Sequence, residues 1–210
     1  GPGTTILSEL KEGSKIDVIA PLGRPFPKPQ ADRIPVLLGG GIGIGPILFL
    51  AKELEKNVAA SQTEAASVSG SGSDTGPGNH LDSGYILVIG ARNARFLPEK
   101  RFFSPLKPQL CTDDGSLGYE GFVTDFARAG IGAGKSYEFF ACGPDLMLEA
   151  CSKIAEELES PCWVSMEQTM GCALGACMGC VIRVKSGQGY ARVCTEGPVF
   201  DAGEVVWGSR

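Results

Sequence analysis

From Ile34 to Glu167 the sequence alternates short, mainly apolar segments, of which IPVLLGG is fully apolar and PQLCTDDGS the weakest, with segments whose apolar residues recur at helical spacing. Strands that are apolar throughout must be covered on both faces, and the intervening helices supply that cover. The pattern therefore predicts an α/β fold over residues 28–167, a five-stranded parallel sheet with helices on both faces. The predicted strands lie in IPVLLGG, SGYILVIGA, PQLCTDDGS, SYEFFACG and PCWVSME, and the predicted helices in PILFLAKELEK, GFVTDFARAG and PDLMLEACSKIAEELES.

Three segments depart from this alternation. Residues 57–84 are rich in Ala, Ser, Gly and Asp, and such a composition predicts a flexible surface insertion because it cannot bury enough apolar area. Residues 1–27 contain KIDVIAPLGRPF, which predicts the terminal β-strand of a preceding domain. Residues 168–210 are rich in Gly and Cys, with short β-like pieces such as VIRVK, and predict a small C-terminal lobe.

Charge and composition argue against several functional classes. The net charge of −5 and pI near 5.0 disfavour a nucleic-acid partner, which would require a basic face. The sequence has no apolar segment long enough to span a membrane and no signal pattern, so a cytoplasmic protein without membrane insertion is predicted. The single histidine, His80, is predicted to be a solvated loop residue, which disfavours Ser–His and Cys–His catalysis.

A glycine loop, LLGGGIGIGPILFL, joins the first predicted strand to the first predicted helix. Glycines let the backbone approach a pyrophosphate whose charge then lies at the helix N-terminus. Gly41 and Gly43 fit the first two positions of the dinucleotide pattern GxGxxG, but Pro46 stands at the third. The candidate nucleotide contacts are Gly40, Gly41, Gly43, Gly45 and Pro46, and a tight strand–helix turn without a ligand remains the alternative.

Two further turns follow predicted strands and precede helices. CTDDGSLGYEGFVTD supplies Thr112, Asp113 and Asp114, and ACGPDLM supplies Cys142, Gly143 and Pro144. Ligands of open α/β sheets bind outside the carboxyl ends of the strands, so the three turns predict one nucleotide crevice. Cys142 either lines this crevice or is a buried apolar thiol.

The segment GCALGACMGC carries three cysteines, with a fourth further on. Cys172, Cys177, Cys180 and Cys194 have the C-x4-C-x2-C…C spacing of plant-type [2Fe–2S] clusters. The intervening glycines and alanines keep side chains away from a cluster. A four-cysteine zinc site is the alternative, although zinc modules usually pair two short Cys-x-x-Cys turns. The other four cysteines have no ligand spacing.

These motifs together resemble a known family. In order, GGGIGIGP, TDDGS and CGPDLM resemble the nicotinamide-binding half of the ferredoxin-NADP reductase superfamily. With CALGACMGC and RVCTEGPVFDAGEV added, the chain is similar to the electron-transfer subunits of NAD-dependent, type B dihydroorotate dehydrogenases. The resemblance covers the chain apart from residues 57–84.

The resemblance implies three cofactors. Family members hold FAD on an N-terminal β-barrel, NAD on the α/β domain and a [2Fe–2S] cluster in a C-terminal lobe. It implies NAD contacts from Gly40 to Gly45, Thr112 to Asp114 and Cys142 to Pro144, and cluster ligation by the four spaced cysteines. GPGTTILSEL resembles the turn that meets the FAD pyrophosphate, which makes Gly3, Thr4 and Thr5 the implied flavin contacts. The rest of the barrel is nearly absent, so the chain is expected to be a fragment in which residues 1–27 are a barrel remnant.

The implied function is an oxidoreductase subunit of pyrimidine biosynthesis. It would pass electrons from an FMN-containing, dihydroorotate-oxidising partner subunit, in a heterotetramer, through the cluster and FAD to NAD⁺, with no catalytic residue of its own. Two alternatives stay open: a subunit that serves a hydrogenase or a ferredoxin-dependent partner, and a zinc-stabilised, non-catalytic nucleotide-binding protein. NAD and NADP are not distinguished by Arg92 and Arg95, although the resemblance favours NAD.

Overall fold

The computed structural model describes residues 1–62, 84–131 and 134–208. Two layers of helices enclose a central sheet, and a two-stranded hairpin follows near the C-terminal end. The helices are α1 (Pro2–Glu9), α2 (Ile44–Gln62), α3 (Lys100–Phe103), α4 (Val123–Gly130) and α5 (Asp145–Glu157). The strands are β1 (Ile34–Gly40), β2 (Ile86–Ala91), β3 (Gln109–Thr112), β4 (Tyr119–Glu120), β5 (Tyr137–Cys142), β6 (Cys162–Ser165), β7 (Val181–Arg183), β8 (Tyr190–Arg192) and β9 (Val199–Asp201).

The main sheet has seven strands in the order β4-β3-β2-β1-β5-β6-β9. The five predicted strands form its parallel centre, which confirms the predicted α/β fold. The predicted strand number is wrong, because β4 adds a parallel edge and β9 an antiparallel one, with Val164 opposite Phe200. These edge strands have two and three residues, too few for a periodic pattern to reveal.

The central strands are buried on both faces. In β1, Val36 and Leu38 face one core while Leu37 faces the other, as the two-residue period of a strand requires. Helix α2 covers the Leu37 face with Ile47 and its neighbours. Helices α4 and α5 cover the opposite face, where Leu148 is fully buried.

The C-terminal segment shares that second core. Cys180 and Val193 belong to the same buried cluster as the residues of β5 and α5. Strands β7 and β8 form an antiparallel pair of their own, whereas β9 returns to the main sheet. The cysteine-rich segment is therefore packed directly on the α/β unit.

Two predictions for irregular segments need revision. Helix α2 runs to Gln62, so the predicted insertion begins inside a helix; residues 63–83, with His80, lie outside the described residues. The strand predicted within residues 15–26 is wrong: this segment makes one isolated bridge, between Arg24 and Pro198. A strand needs a partner along its length, and residues 1–25 are exposed without one.

None of the helices in the described ranges combines the length and the apolar character that crossing a bilayer requires.

Candidate functional site: a nucleotide cleft beside a cysteine loop

A cleft opens at the carboxyl ends of β1, β5 and β6. It consists of two adjoining cavities of about 220 Å³ and about 500 Å³, which share Ile42, Gly143 and Glu167. Strands β1 and β5 are neighbours in the sheet, but the connections leave them toward opposite sides. This topological switch point is where open α/β sheets bind their ligands.

The glycine loop forms one wall of the cleft. A Cβ atom on Gly40 would stand 2.4 Å from the Met147 Sδ atom, and one on Gly43 would stand 2.2 Å from the Cys142 carbonyl oxygen. Gly41 has a φ of +55°, and the loop closes as a turn of 3₁₀-helix over Gly41–Gly43. Glycine is therefore needed here for packing and for backbone conformation.

Two residues of the loop leave room for a ligand. The Cβ position of Gly45, in the first turn of α2, has no atom within 4 Å. Pro46 follows it in the same turn and lines the smaller cavity. The amino end of α2 is thus open toward solvent and suited to an anionic group.

The turn after β5 forms the opposite wall. Cys142 and Gly143 line the smaller cavity, and Pro144 the larger one. Burial raises the pKa of the half-buried Cys142 thiol, and a hydrogen bond with the Ser165 side chain opposes that change. The thiol that the sequence left open between two roles lies in the cleft.

The turn after β3 has a different role for each residue. The buried Thr112 hydroxyl donates to the Leu117 carbonyl oxygen (2.9 Å) and accepts from the Leu117 N–H (3.0 Å). Its side chain therefore holds the turn, and its predicted contact with NAD stays a prediction. Asp113 and Asp114 are exposed at the same sheet edge, but two strands away from β1, and they do not line the two cavities.

The loop after β2 is tied to that turn. The backbone N–H of Ala94 donates to Ser116 Oγ (2.8 Å), and the N–H of Arg95 donates to the Asn93 side chain (3.1 Å). Arg92 and Arg95 are both exposed. The two exposed arginines thus lie on a loop that these hydrogen bonds hold in place.

The structure brings the four spaced cysteines together as two pairs. The Cys172 thiol is in hydrogen-bond contact with the Cys177 thiol, and the Cys194 thiol with the Cys180 thiol. Cys180 and Cys194 are buried, whereas Cys177 is exposed. Cys172 and Cys177 thus meet within one loop, whereas Cys180 and Cys194 meet at the two ends of the β7–β8 hairpin.

Backbone N–H groups point at the first pair. The N–H groups of Leu174 and Cys177 each lie 3.4 Å from Cys172 Sγ, and the N–H of Gly179 lies 3.4 Å from Cys177 Sγ. These donors, led by Cys177, lower the pKa of the Cys172 thiol to about 6. They favour the thiolate, which is the form that binds metals.

A repeated left-handed turn produces this arrangement. Ala173 and Met178, each directly after a cysteine, have φ values of +56° and +57°. The N–H two residues after each cysteine then donates back to its sulfur. Left-handed backbone is costly for residues with a Cβ, so these N–H···S contacts offset local strain.

This arrangement fits a two-iron cluster. In a [2Fe–2S] cluster the four cysteines divide as two on each iron, and the structure has two thiol pairs. Among the described residues, no group of three or more His, Cys, Asp or Glu lies close enough to hold one metal ion. A Cβ on Gly171 would stand 3.1 Å from Cys177 Sγ, so a side chain there would press on that sulfur.

Comparisons with known proteins agree with this geometry. Residues 167–206 match the iron–sulfur cluster binding domain of dihydroorotate dehydrogenase B. The chain is 33% identical, over 99% of its length and 71% of the relative's, to the dihydroorotate dehydrogenase B (NAD(+)) electron transfer subunit of Desulforamulus reducens. It is 37% identical, over 98% of its length and 71% of the relative's, to that of a Geobacillus species.

The chain belongs to this family of electron transfer subunits.

A solved structure extends the likeness to the three-dimensional fold. It is that of an NADH-dependent reduced ferredoxin-NADP oxidoreductase, studied for flavin-based electron bifurcation. The TM-score is 0.69 at 28% identity, and the match covers 97% of this chain and 65% of the other. The electron transfer subunit thus has the fold of a ferredoxin-NADP reductase-like protein.

Sequence reasoning missed one wall of the cleft in this electron transfer subunit. Ser165, Met166 and Glu167, at the end of β6, line the smaller cavity, and Gln168 and Thr169 continue along the larger one. These residues could have been predicted, because β6 was a predicted strand and the carboxyl ends of parallel strands lie at the same edge of the sheet.

The implied flavin contacts lie apart from the cleft. Gly3, Thr4 and Thr5 are exposed on α1, where the Thr4 hydroxyl donates to the Gly1 carbonyl oxygen (2.8 Å). The structure does not bring these residues against the cleft or the cysteines. Their role in FAD binding by the electron transfer subunit stays a prediction.

Proposed function

We propose that the chain passes electrons from a dihydroorotate-oxidising partner subunit to NAD⁺, as its family relatives are named for doing. The observation that carries the proposal is the continuity of β6 with both sites. Residues Glu167 to Thr169 line the cleft, and the cysteine loop begins at once with Gly171 and Cys172. Cys172 is the third residue after Thr169, so their α-carbons are at most about 11 Å apart.

The cofactors supply the redox chemistry. When bound, FAD and NAD exchange a hydride and a [2Fe–2S] cluster carries single electrons. The proposed ligands are Cys172 with Cys177 on one iron and Cys180 with Cys194 on the other. The chain's contribution is to direct backbone N–H groups at the sulfurs of Cys172 and Cys177, which favours the Cys172 thiolate, and to keep the carriers close.

The cleft is the proposed NAD site. The open amino end of α2 near Gly45 is suited to the pyrophosphate, and Cys142 and Glu167 line the smaller cavity beside it. No residue is required to act as a base. We further propose that the partner carries FMN, that the two subunits form a heterotetramer, and that the assembly works in the cytoplasm.

Purification under anaerobic conditions tests the cluster. Two irons and two sulfides per chain are expected, with the absorption of a [2Fe–2S] centre. Cys172→Ser should lower the iron content, whereas Cys111→Ala, at a buried thiol of β3, should leave it unchanged. A colourless protein with one zinc and no sulfide would contradict the proposal.

Reconstitution with candidate partners tests which protein exchanges electrons with this chain. With the dihydroorotate-oxidising subunit of the same organism, dihydroorotate-dependent NAD⁺ reduction is expected. The structural likeness to a ferredoxin-NADP oxidoreductase favours one second candidate, a ferredoxin-dependent partner. Electron exchange with reduced ferredoxin, and none with the dihydroorotate-oxidising subunit, would favour that candidate.

A further inference from the structure

An arginine and a glutamate form a closed turn beside the fourth cysteine. Arg192 ends β8, two residues before Cys194, and its Nε atom lies 3.0 Å and 2.9 Å from the two carboxylate oxygens of Glu196. The Arg192 Nη2 group donates to the same carboxylate, and the Arg192 backbone N–H lies 2.6 Å from Glu196 Oε2. The side chain of Arg192 is thus fixed by a forked contact.

The backbone reinforces this turn. The N–H groups of Thr195, Glu196 and Gly197 all donate to the carbonyl oxygen of Arg192, at 3.3, 2.9 and 3.1 Å. The N–H of Val193 donates to the Cys180 carbonyl oxygen at 3.0 Å. The segment that carries Cys194 is therefore rigidly tied to the residue that carries its paired thiol.

The Nη1 group of Arg192 contacts the loop that carries the other cysteine pair. Its Nη1 group donates to the carbonyl oxygen of Gly175 (3.1 Å), between Cys172 and Cys177 in the loop. The N–H of Gly175 donates in turn to the Cys194 thiol. Gly175 is therefore held from both sides by the segment of the second pair.

Gly175 also has the conformation and the space that this contact requires. Its φ of +80° is left-handed, and a Cβ would stand 2.9 Å from Thr195 Cγ2 and 3.4 Å from Arg192 Nη1. The loop and the turn are in direct contact at this residue. The contact between the loop and the turn at Gly175 therefore sets the distance between the two thiol pairs.

We propose that Arg192, fixed by Glu196, is a positioning residue that holds the loop of Cys172 and Cys177 against the segment of Cys194. The inference rests on the proposed cluster site. One guanidinium donates hydrogen bonds to the Glu196 carboxylate and to the Gly175 carbonyl oxygen at the same time. A lysine ammonium cannot reproduce that fork.

Cluster release measures this role. In Arg192→Ala, the loss of a charge-assisted hydrogen bond should speed release of iron to a chelator by roughly ten- to a hundredfold. Arg192→Lys should give an intermediate rate, because it keeps the charge without the fork. Arg183→Ala removes an exposed cation from the neighbouring strand β7 and should match the wild type.

A second measurement separates positioning from charge. The electron paramagnetic resonance spectrum of the reduced cluster should change shape in Arg192→Ala and in Glu196→Gln, because both release the fork, and stay unchanged in Arg183→Ala. Affinity for NADH should be unaltered in all the variants, since the fork does not line the cleft. Wild-type release rates and spectra in Arg192→Ala would overturn the inference.

Metal-free protein gives a third, independent readout. Amide hydrogen exchange of residues 172–177 should be faster in Arg192→Ala than in the wild type, with exchange elsewhere in the α/β unit unchanged. Equal exchange in both proteins would overturn the inference. Absence of iron and sulfide from the wild type would instead contradict the proposed function, so the two failures are distinguishable.

Discussion

Gly43 lies so close to Cys142 that a Cβ atom on it would stand 2.2 Å from the Cys142 carbonyl oxygen. This contact joins the two walls of the cleft, since one residue belongs to the loop after β1 and the other ends β5. The Cβ position of Gly45, two residues further along, has no atom within 4 Å. Gly43 is therefore needed for the packing of the two walls, whereas Gly45 leaves space for a ligand.

Alanine at these positions should separate the two effects. Gly43→Ala is expected to lower the free energy of unfolding by about 1–3 kcal/mol, because the backbone must move to accept a methyl group. Gly45→Ala should leave the stability equal or slightly higher, since alanine favours the helix, and should weaken NADH binding. Denaturant unfolding and calorimetric titration with NADH measure the two quantities; equal losses of stability would contradict the assignment.

The buried carboxylate of Glu138 offers a second test. Its Oε2 atom accepts from the Gln30 backbone N–H (2.7 Å), and its Oε1 atom accepts from Trp163 Nε1 (2.9 Å). Glu138→Gln turns an amide donor toward one of these donors, which should cost about 1–3 kcal/mol of unfolding free energy. Glu156→Gln, at an exposed position of α5, is the matched control and should change little.

Trp163 reports on the same contact. Its fluorescence should change in Glu138→Gln and not in the control, because the indole N–H loses its acceptor. A Glu138→Gln protein with wild-type stability and fluorescence would show that the carboxylate does not hold the 28–33 segment to the sheet.

The buried thiols predict a dependence on pH. Burial raises the pKa of Cys111 and of Cys151 to about 12, from an ordinary value of 9. Between pH 9 and 12 the unfolded state therefore binds fewer protons than the folded state, and the free energy of unfolding should fall as pH rises through this range. Below pH 9 these two thiols should contribute no slope.

Alkylation checks the same property directly. At pH 8 a thiol of pKa 12 is about one ten-thousandth thiolate, so Cys111 and Cys151 should resist iodoacetamide in the folded protein and react after unfolding. Mass spectrometry of the labelled peptides identifies the sites. Rapid labelling of either thiol without unfolding would be inconsistent with its burial.

The contact between Gly23 and Gly197 gives the last prediction. Gly23 has a φ of +74°, and a Cβ on it would stand 2.7 Å from the Gly197 carbonyl oxygen, which accepts from the Arg24 N–H at 2.5 Å. Gly23→Ala should detach this segment from the turn after Cys194. We expect faster hydrogen exchange at the Arg24 amide, because its N–H loses its acceptor.

Gly13→Ala is the matched control for strain alone. Gly13 has a similar φ of +84°, but its Cβ position has no atom within 4 Å. It should share the backbone strain without the loss of contact. Equal exchange of the Arg24 amide in the two variants would contradict the prediction.

Some of these features could be predicted from the sequence, for clear physical reasons. The strands around Leu37 and Phe140 are apolar on both faces, so their place at the sheet centre follows from composition alone. The cysteine spacing predicted a shared site because its residues are close in sequence. The role of Thr112 could not be predicted, because its burial depends on the turn that closes over it.

Tertiary contacts account for the other misses. Strand β9 has three residues and is a strand only because β6 offers a free edge. The contact of Arg192 with Gly175 joins residues 17 positions apart in the sequence, and no local pattern reports it. The predicted strand in residues 15–26 failed for the converse reason: apart from the bridge between Arg24 and Pro198, this exposed segment pairs with no strand in the described part of the chain.

The return of β9 to the main sheet limits how such a subunit can be recombined. Its pairing with β6 means that the cysteine segment completes the edge of the sheet that also forms the cleft. A chimera joined near residue 168 would bring a foreign edge strand to this β6 and a foreign core against α5. Exchange between relatives should succeed only when β6, α5 and the cysteine segment are transferred together, because these elements pack against one another.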